Sequence, residues 1–225
     1  MPVFQLTALL LTTFWLVLVV VFFHRSNSIL LGGLFAIGLF TLAAVAFGKL
    51  TLDQLGLGRP HSWLASFGMA VIRLGIMIAC SPLADRLASR WVTRPPTLEA
   101  FGVIQRSRAK LVAGILAAWV LGGFLEELVA RGIVLNSIQS LLAPLHIGPL
   151  AAGAAVLIAA LGAGLMHLYQ GPRAAAIITQ LSILLGILFV VSGFNLWTVI
   201  ICHGLYDTVA FVRFAAKKSK YSKSS

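Results

Sequence analysis

The chain has 225 residues, of which 60% are hydrophobic and only 10% are charged, and its mean hydropathy of +1.00 lies far above that of a soluble domain. This composition argues against a water-soluble protein and indicates helices that lie in a bilayer. The formal net charge of +11 does not indicate a nucleic-acid-binding protein, because lysine and arginine collect in the cytoplasmic loops of membrane proteins.

Several apolar stretches are long enough to cross a hydrocarbon layer of roughly 30 Å as helices. In chain order we predict spans at 2–23, 28–48, 63–82, 110–135, 149–169, 174–194 and 195–214. No break between them is long enough for a second folded domain. The sequence therefore predicts an all-α fold in which residues 1–225 form one bundle of about seven transmembrane helices.

Basic residues lie mainly on one side of this predicted bundle. When the breaks are assigned alternately to two sides, one side has only Lys49 and Arg59. The other side has Arg25, Arg86, Arg90, Arg94, Arg106, Arg108, Lys110, Arg173, Arg213, Lys217, Lys218, Lys220 and Lys223. We therefore expect an integral protein of the plasma membrane with a cytoplasmic carboxyl terminus, whose basic tail contacts anionic lipids.

Two further features bear on location and redox chemistry. The first apolar stretch has no preceding basic residue and no small-residue cleavage site, so we expect it to remain as a span. Cys80 and Cys202 both lie in apolar stretches without a partner at a metal-ligand spacing, so we interpret them as small core residues.

Charges within the predicted spans are the main functional signal. Three of the six acidic residues, Glu126, Glu127 and Asp207, fall there. On insertion scales, Glu126, Glu127 and Arg131 together raise the free energy of membrane insertion by roughly 8 to 10 kcal/mol. Their apolar neighbours lower it by only roughly 4 to 8 kcal/mol. We therefore expect this helix to be shielded from lipid.

The two adjacent glutamates differ in their helical neighbours. Glu127 is four residues before Arg131, which predicts an ion pair on one helical face. Glu126 has Val129 and Ala130 at the corresponding positions, so any partner must come from another helix or from water. A buried carboxylate without a counter-ion is a candidate general base.

Two other spans supply histidines. His167 follows a face of small residues that permits close helix packing, and His203 and Asp207 are four residues apart on one face. Glu126, steadied by His167, could take a proton from water that attacks a peptide carbonyl. His203, oriented by Asp207, could stabilise the oxyanion or donate to the leaving amine.

Two alternatives concern ligands of this site. Glu126, His167 and His203 could instead hold a divalent metal such as zinc, although no H-E-x-x-H motif is present. Arg73 lies within the third predicted span and could bind the terminal carboxylate of a substrate, but a packing role within the bundle is the favoured interpretation.

Three short motifs in this chain resemble those of the CPBP, or Abi, family. The family includes type II CAAX prenyl endopeptidases and bacterial proteins of bacteriocin processing and immunity. Its E-E-x-x-x-R motif is EELVAR at 126–131, its F-x-x-x-H motif corresponds to AGLMH at 163–167, and its H-x-x-x-N or H-x-x-x-D motif is HGLYD at 203–207. The resemblance covers about 110–212, which we take as the catalytic core helices.

The resemblance implies a glutamate-dependent endopeptidase whose substrate is a protein or peptide, in some cases lipid-modified. In this scheme Glu126 and His167 activate water, and His203 and Asp207 serve the oxyanion. In the same scheme, Glu127 and Arg131 maintain the geometry of the site. Members of the family have also been described as metalloproteases, so the cofactor stays open.

The chain departs from the family motifs at two positions. Ala163 stands where the family usually has phenylalanine, and Asp207 stands where it often has asparagine. An ionised aspartate accepts hydrogen bonds but cannot donate them. The alternatives to a protease are a non-catalytic scaffold or immunity protein of the same fold and, less favoured, a proton-coupled transporter, for which we find no paired repeats.

Overall fold

The computed structural model describes residues 3–22 and 27–221, without the side chains of 27, 28 and 217–221. In this part of the chain all regular structure is helical. The main helices are α1 Val3–Phe22, α2 Asn27–Ala46, α3 Trp63–Ser89, α4 Arg108–Leu145, α5 Gly148–Met166, α6 Pro172–Val191 and α7 Leu196–Tyr221. Arg25 and the side chains of the basic tail lie outside the described part.

Seven of the described helices are long and apolar enough to cross a membrane. The prediction of an all-α bundle of about seven transmembrane helices is therefore confirmed, and the protein is an integral membrane protein. The helix ends follow local chemistry. Ser62 and Ser107 cap α3 and α4, since each hydroxyl accepts a backbone N–H at 3.2 Å. The turn before α7 passes through Gly193 and Phe194, with φ of 70° and 60°.

Helices α3 and α7 run parallel, as the third and seventh spans of a bundle must. The rings of Trp63 and Trp197 lie 5.5 Å apart near their beginnings. Further along, Tyr206 on α7 donates to Ser81 on α3 at 3.0 Å. At the end of α3, Asp85 pairs with Arg173 of α6 at 2.7 Å.

Helix α4 is longer than the predicted span 110–135 and is wound differently. Its 38 residues would extend about 57 Å as a regular α-helix, against a hydrocarbon layer of roughly 30 Å. Two stretches, Trp119–Glu126 and Leu128–Leu135, have π-helical winding, which is rare and is often found at functional sites. The chain continues as a helix through Gly122 and Gly123, so there is no re-entrant break there.

Candidate active site

One cavity of about 520 Å³ brings together four residues predicted from the sequence. Glu126 reaches it from α4, His167 from the end of α5, and His203 and Asp207 from α7. Asp207 lies within electrostatic range of the other three. Glu126 and His167 meet there because α5 ends at Met166, level with the middle of α4.

Beside the cavity, a buried polar network joins α4, α6 and α7. Glu127 is fully buried, and its Oε1 accepts hydrogen bonds from Arg131 Nη1 at 3.0 Å and from His203 Nδ1 at 2.7 Å. Arg131 also donates through Nη2 to the carbonyl and hydroxyl oxygens of Ser182. The ion pair predicted from the spacing of Glu127 and Arg131 is therefore present. It stabilises the contact between helices that are distant in sequence.

The second nitrogen of His203 faces Asp207. Since Nδ1 of His203 donates to Glu127, only Nε2 is left for the cavity, and it lies 3.7 Å from Asp207 Oδ2. This distance is too long for a hydrogen bond. The carboxylate in hydrogen-bond contact with His203 is thus Glu127, whereas we expected from the sequence that Asp207 would orient the ring.

His167 is fixed through its own helix. Its Nδ1 donates to the carbonyl oxygen of Ala163 at 2.9 Å, and its ring stacks on Tyr169 with centroids 6.1 Å apart. A carbonyl oxygen can only accept, so the proton lies on Nδ1 of the neutral ring. Nε2 is then the nitrogen left for a ligand in the cavity.

Glu126 differs from its neighbour because its carboxylate has no hydrogen bond or ion pair to any described residue. It is partly exposed to the cavity, while Glu127 is fully buried. The adjacent Gly122 leaves room on the same side of α4. A Cβ atom at Gly122 would lie 2.7 Å from Asp207 Oδ2 and 3.5 Å from His203 Nε2. Of Glu126 and Asp207, which both line the cavity, Glu126 has no ion-pair partner among the described residues, whereas Asp207 has His203 Nε2 at 3.7 Å.

Comparison with protein families decides the relationship. Residues 108–209 match the family model described as type II CAAX prenyl endopeptidase Rce1-like. This segment, a little under half of the chain, is therefore similar to that family. It contains all three motifs and every candidate site residue except Arg73. No curated protein and no solved structure was found to match the chain.

The Rce1-like segment thus has the fold of CAAX-type intramembrane endopeptidases, and the resemblance drawn from the motifs is confirmed. The similarity to a peptidase family supports a peptidase whose substrate is a protein or peptide in the membrane. Ala163, which replaces the usual phenylalanine of the family motif, lies between two cavities. With Met166 it lines both the site and a second, apolar cavity of about 570 Å³ between α1, α4 and α5.

The polar side chains of the Rce1-like segment were also compared with what a metal ion requires. Among the described residues, no group of three or more histidine, cysteine, aspartate or glutamate side chains is close enough together to hold a metal ion. We derive no step through a metal, and the zinc alternative at Glu126, His167 and His203 stays a prediction.

Arg73 is separate from the site. It is buried on α3, and its three side-chain nitrogens have no hydrogen-bond partner among the described residues. Met77, four residues later on α3, lines the cavity, but Arg73 does not. The structure therefore does not bring Arg73 together with Glu126 and the histidines.

Sequence reasoning missed several residues of the site. Tyr169 and Gln170, in the turn after α5, line the cavity. Residues of the connection between α3 and α4 also line the cavity. This connection contacts the turn through a backbone hydrogen bond from Thr97 N to Gln170 O at 2.8 Å. The position of Tyr169, two residues after His167, was the one available signal in the sequence.

Proposed function

We propose that the protein is an intramembrane endopeptidase in which Glu126 activates water for attack on a peptide carbonyl. The observation that carries this proposal is the convergence of one unpaired carboxylate and two oriented imidazoles on a single cavity. Catalytic side chains must lie within reach of one reacting centre, and their shared cavity meets that requirement.

In the proposed reaction, Glu126 takes a proton from water while the water oxygen bonds to the carbonyl carbon. Nε2 of His167 accepts a hydrogen bond from the same water and positions it. A negative charge develops on the former carbonyl oxygen. Collapse of this intermediate breaks the C–N bond, and the proton held by Glu126 goes to the leaving nitrogen.

His203 is proposed to stabilise the oxyanion. In its protonated form the ring donates from Nδ1 to Glu127 and from Nε2 into the cavity. The Glu127 carboxylate holds the ring in this orientation through the 2.7 Å hydrogen bond to Nδ1. Glu127 and Arg131 therefore shape the site by fixing His203.

The proposed substrate is a peptide segment that enters the cavity from the side of the connection between α3 and α4. This side also has Arg173, which pairs with Asp85 and donates to the carbonyl of Thr93 at 3.4 Å. The excess of basic residues on this side supports a cytoplasmic location. A lipid-modified carboxyl-terminal peptide is the substrate that the family description suggests.

The deciding experiment uses purified protein in lipid nanodiscs with a prenylated CAAX-type peptide and its unprenylated counterpart. We expect cleavage of at least the prenylated peptide by the wild-type protein and none by Glu126→Gln, with an unchanged thermal midpoint. The matched control is Glu99→Gln, since Glu99 is exposed and does not line the cavity. Cleavage by Glu126→Gln at the wild-type rate would disprove the role of Glu126.

The same preparation tests the cofactor and the scaffold alternative. If the carboxylate alone activates water, treatment with a chelator and removal of bound zinc will leave the rate unchanged. A rate that falls with the chelator and returns with zinc would replace the proposed mechanism with a metal-dependent one. A wild-type protein that cleaves neither peptide would favour a non-catalytic role.

A further inference from the structure

Tyr169 lies in the turn Leu168–Gln170 between α5 and α6 and lines the cavity with Glu126 and Asp207. It lies outside the membrane-spanning helices and belongs to none of the three motifs. Its ring is held by the stack on His167. The phenol is therefore positioned next to a residue that is proposed to act on water.

The hydroxyl of Tyr169 has one partner, and that partner leaves its proton available. Gln170 Nε2 donates to Tyr169 Oη at 2.7 Å. Among the described residues, no atom accepts the hydroxyl proton. A phenol that accepts one hydrogen bond retains its O–H as a donor. The amide of Gln170 thus orients the hydroxyl oxygen and leaves the proton for a ligand.

The charges around Tyr169 indicate which ligand atom that is. Burial raises the pKa of the Tyr169 phenol, the Gln170 amide lowers it, and the nearby carboxylates of Glu126 and Asp207 raise it further. A phenol with a raised pKa stays protonated at neutral pH. Two carboxylates in range also disfavour a ligand that arrives as an anion. A neutral carbonyl oxygen, which becomes negative only during the reaction, is the better match.

The aspartate at position 207 explains why the site would need a hydrogen-bond donor such as Tyr169. The family often has asparagine at this position, whose amide can donate a hydrogen bond to an oxyanion, whereas an ionised aspartate cannot. Resting on the proposed function, we propose that the Tyr169 hydroxyl donates to the carbonyl oxygen of the scissile peptide, as the second oxyanion donor beside His203. Tyr169 is then a catalytic residue in the strict sense, because it contacts the reacting atoms.

The test is Tyr169→Phe, which keeps the ring and removes the hydroxyl. We expect kcat to fall on the order of 10²-fold, as for the loss of one oxyanion donor, while KM changes little. The thermal midpoint should stay the same. The matched control is Ser192→Ala, which removes a hydroxyl that donates to the carbonyl oxygen of Phe189 at 2.9 Å and does not line the cavity. We expect this variant to keep its kcat within about threefold, because it removes no contact with the transition state.

The outcomes separate this inference from the proposed function. If the wild-type protein cleaves, Glu126→Gln does not, and Tyr169→Phe keeps the wild-type kcat, the role of Tyr169 is wrong and the proposed function stands. A rise in KM with unchanged kcat would likewise overturn an oxyanion role, because it would show ground-state binding only.

A second variant covers the case in which Tyr169→Phe fails to fold. Gln170→Leu keeps the phenol but removes the amide that orients it, and it leaves the backbone contact with Thr97 intact. We expect kcat to fall roughly tenfold, as for a misoriented catalytic group. A kcat equal to that of the wild-type protein would contradict the proposal.

Discussion

Glu127 and His203, which are 76 residues apart in sequence, form a hydrogen bond of 2.7 Å between α4 and α7. The bond separates the functions of two adjacent glutamates. The carboxylate of Glu127 is hydrogen-bonded to His203 and Arg131. The carboxylate of Glu126 faces the cavity without such a partner among the described residues. Adjacent positions on a helix point in different directions, so one residue can hold the structure while the next faces the substrate.

The first prediction concerns this network. Glu127→Gln removes the charge that balances Arg131 and should lower the free energy of unfolding by about 3 to 5 kcal/mol, the usual cost of breaking a buried ion pair. Denaturant unfolding in mixed micelles measures the change. The double variant Glu127→Gln with Arg131→Met removes both charges, and we expect it to recover most of the stability but none of the activity. Equal stability of the single and double variants would contradict this account.

A second prediction uses the space at Gly122. A methyl group there would lie 2.7 Å from Asp207 Oδ2, so Gly122→Ala must displace Asp207 or α7. We expect kcat/KM to fall on the order of 10²-fold, the effect of displacing a catalytic group by about 1 Å. The matched control is Gly75→Ala on α3, where a Cβ atom would meet nothing within 4 Å. Equal activity of the two variants would show that the site tolerates the displacement.

The third prediction concerns the aspartate of the last motif. Asp207→Asn supplies an amide donor near His203 Nε2, so we expect a kcat at or above that of the wild-type protein. The double variant Tyr169→Phe with Asp207→Asn should have a kcat roughly tenfold above that of Tyr169→Phe alone, because the amide of Asn would replace the lost hydroxyl as a hydrogen-bond donor. A double variant no faster than Tyr169→Phe alone would mean that Asp207 does not reach the oxyanion.

The fourth prediction tests how α5 is held against α6. At Gly164 a Cβ atom would collide with the hydroxyl of Thr179 and lie 2.8 Å from the carbonyl of Ala175. Gly164→Ala should therefore lower the free energy of unfolding by roughly 1 to 3 kcal/mol, as expected for overpacking. Gly153→Ala is on the same helix with nothing within 4 Å of the added atom. Thermal unfolding of the pair gives the comparison, and equal midpoints would refute the close contact.

The helices could be predicted because their signal is local. Runs of about twenty apolar residues define spans without any knowledge of the partners, and the predicted spans agree with the helices to within a few residues at most ends. Three helices are longer than predicted, and one of them is α7, which continues to Tyr221. Helix α3 continues to Ser89 because Ala84 and Ala88 extend its buried face beyond the apolar run. Helix α4 continues to Leu145, past the polar residues Asn136 and Gln139.

The site was predictable only in part. The pair of Glu127 and Arg131 follows from helical spacing alone, and so does the lack of a partner for Glu126 on its own helix. The bond between Glu127 and His203 depends on how α4 and α7 pack, which spacing within one helix cannot determine. The same limit explains why Asp207, close to His203 in sequence, was taken as its partner. The π-helical winding of α4 has no simple signal in the amino-acid composition.

The side chains of Ala163 and Met166 form the partition between the polar site and the apolar cavity beside α1. One methyl group and one thioether thus separate the cavity in which we propose that water reacts from a cavity with an apolar lining. Because this partition is thin, hydrocarbon of low permittivity in the apolar cavity would lie close to the buried charges of Glu127 and Arg131 on α4. Attraction between opposite charges strengthens as permittivity falls. The bilayer would therefore be part of the electrostatic environment of the proposed reaction, and we expect the rate to depend on the lipid composition around α1 and α5.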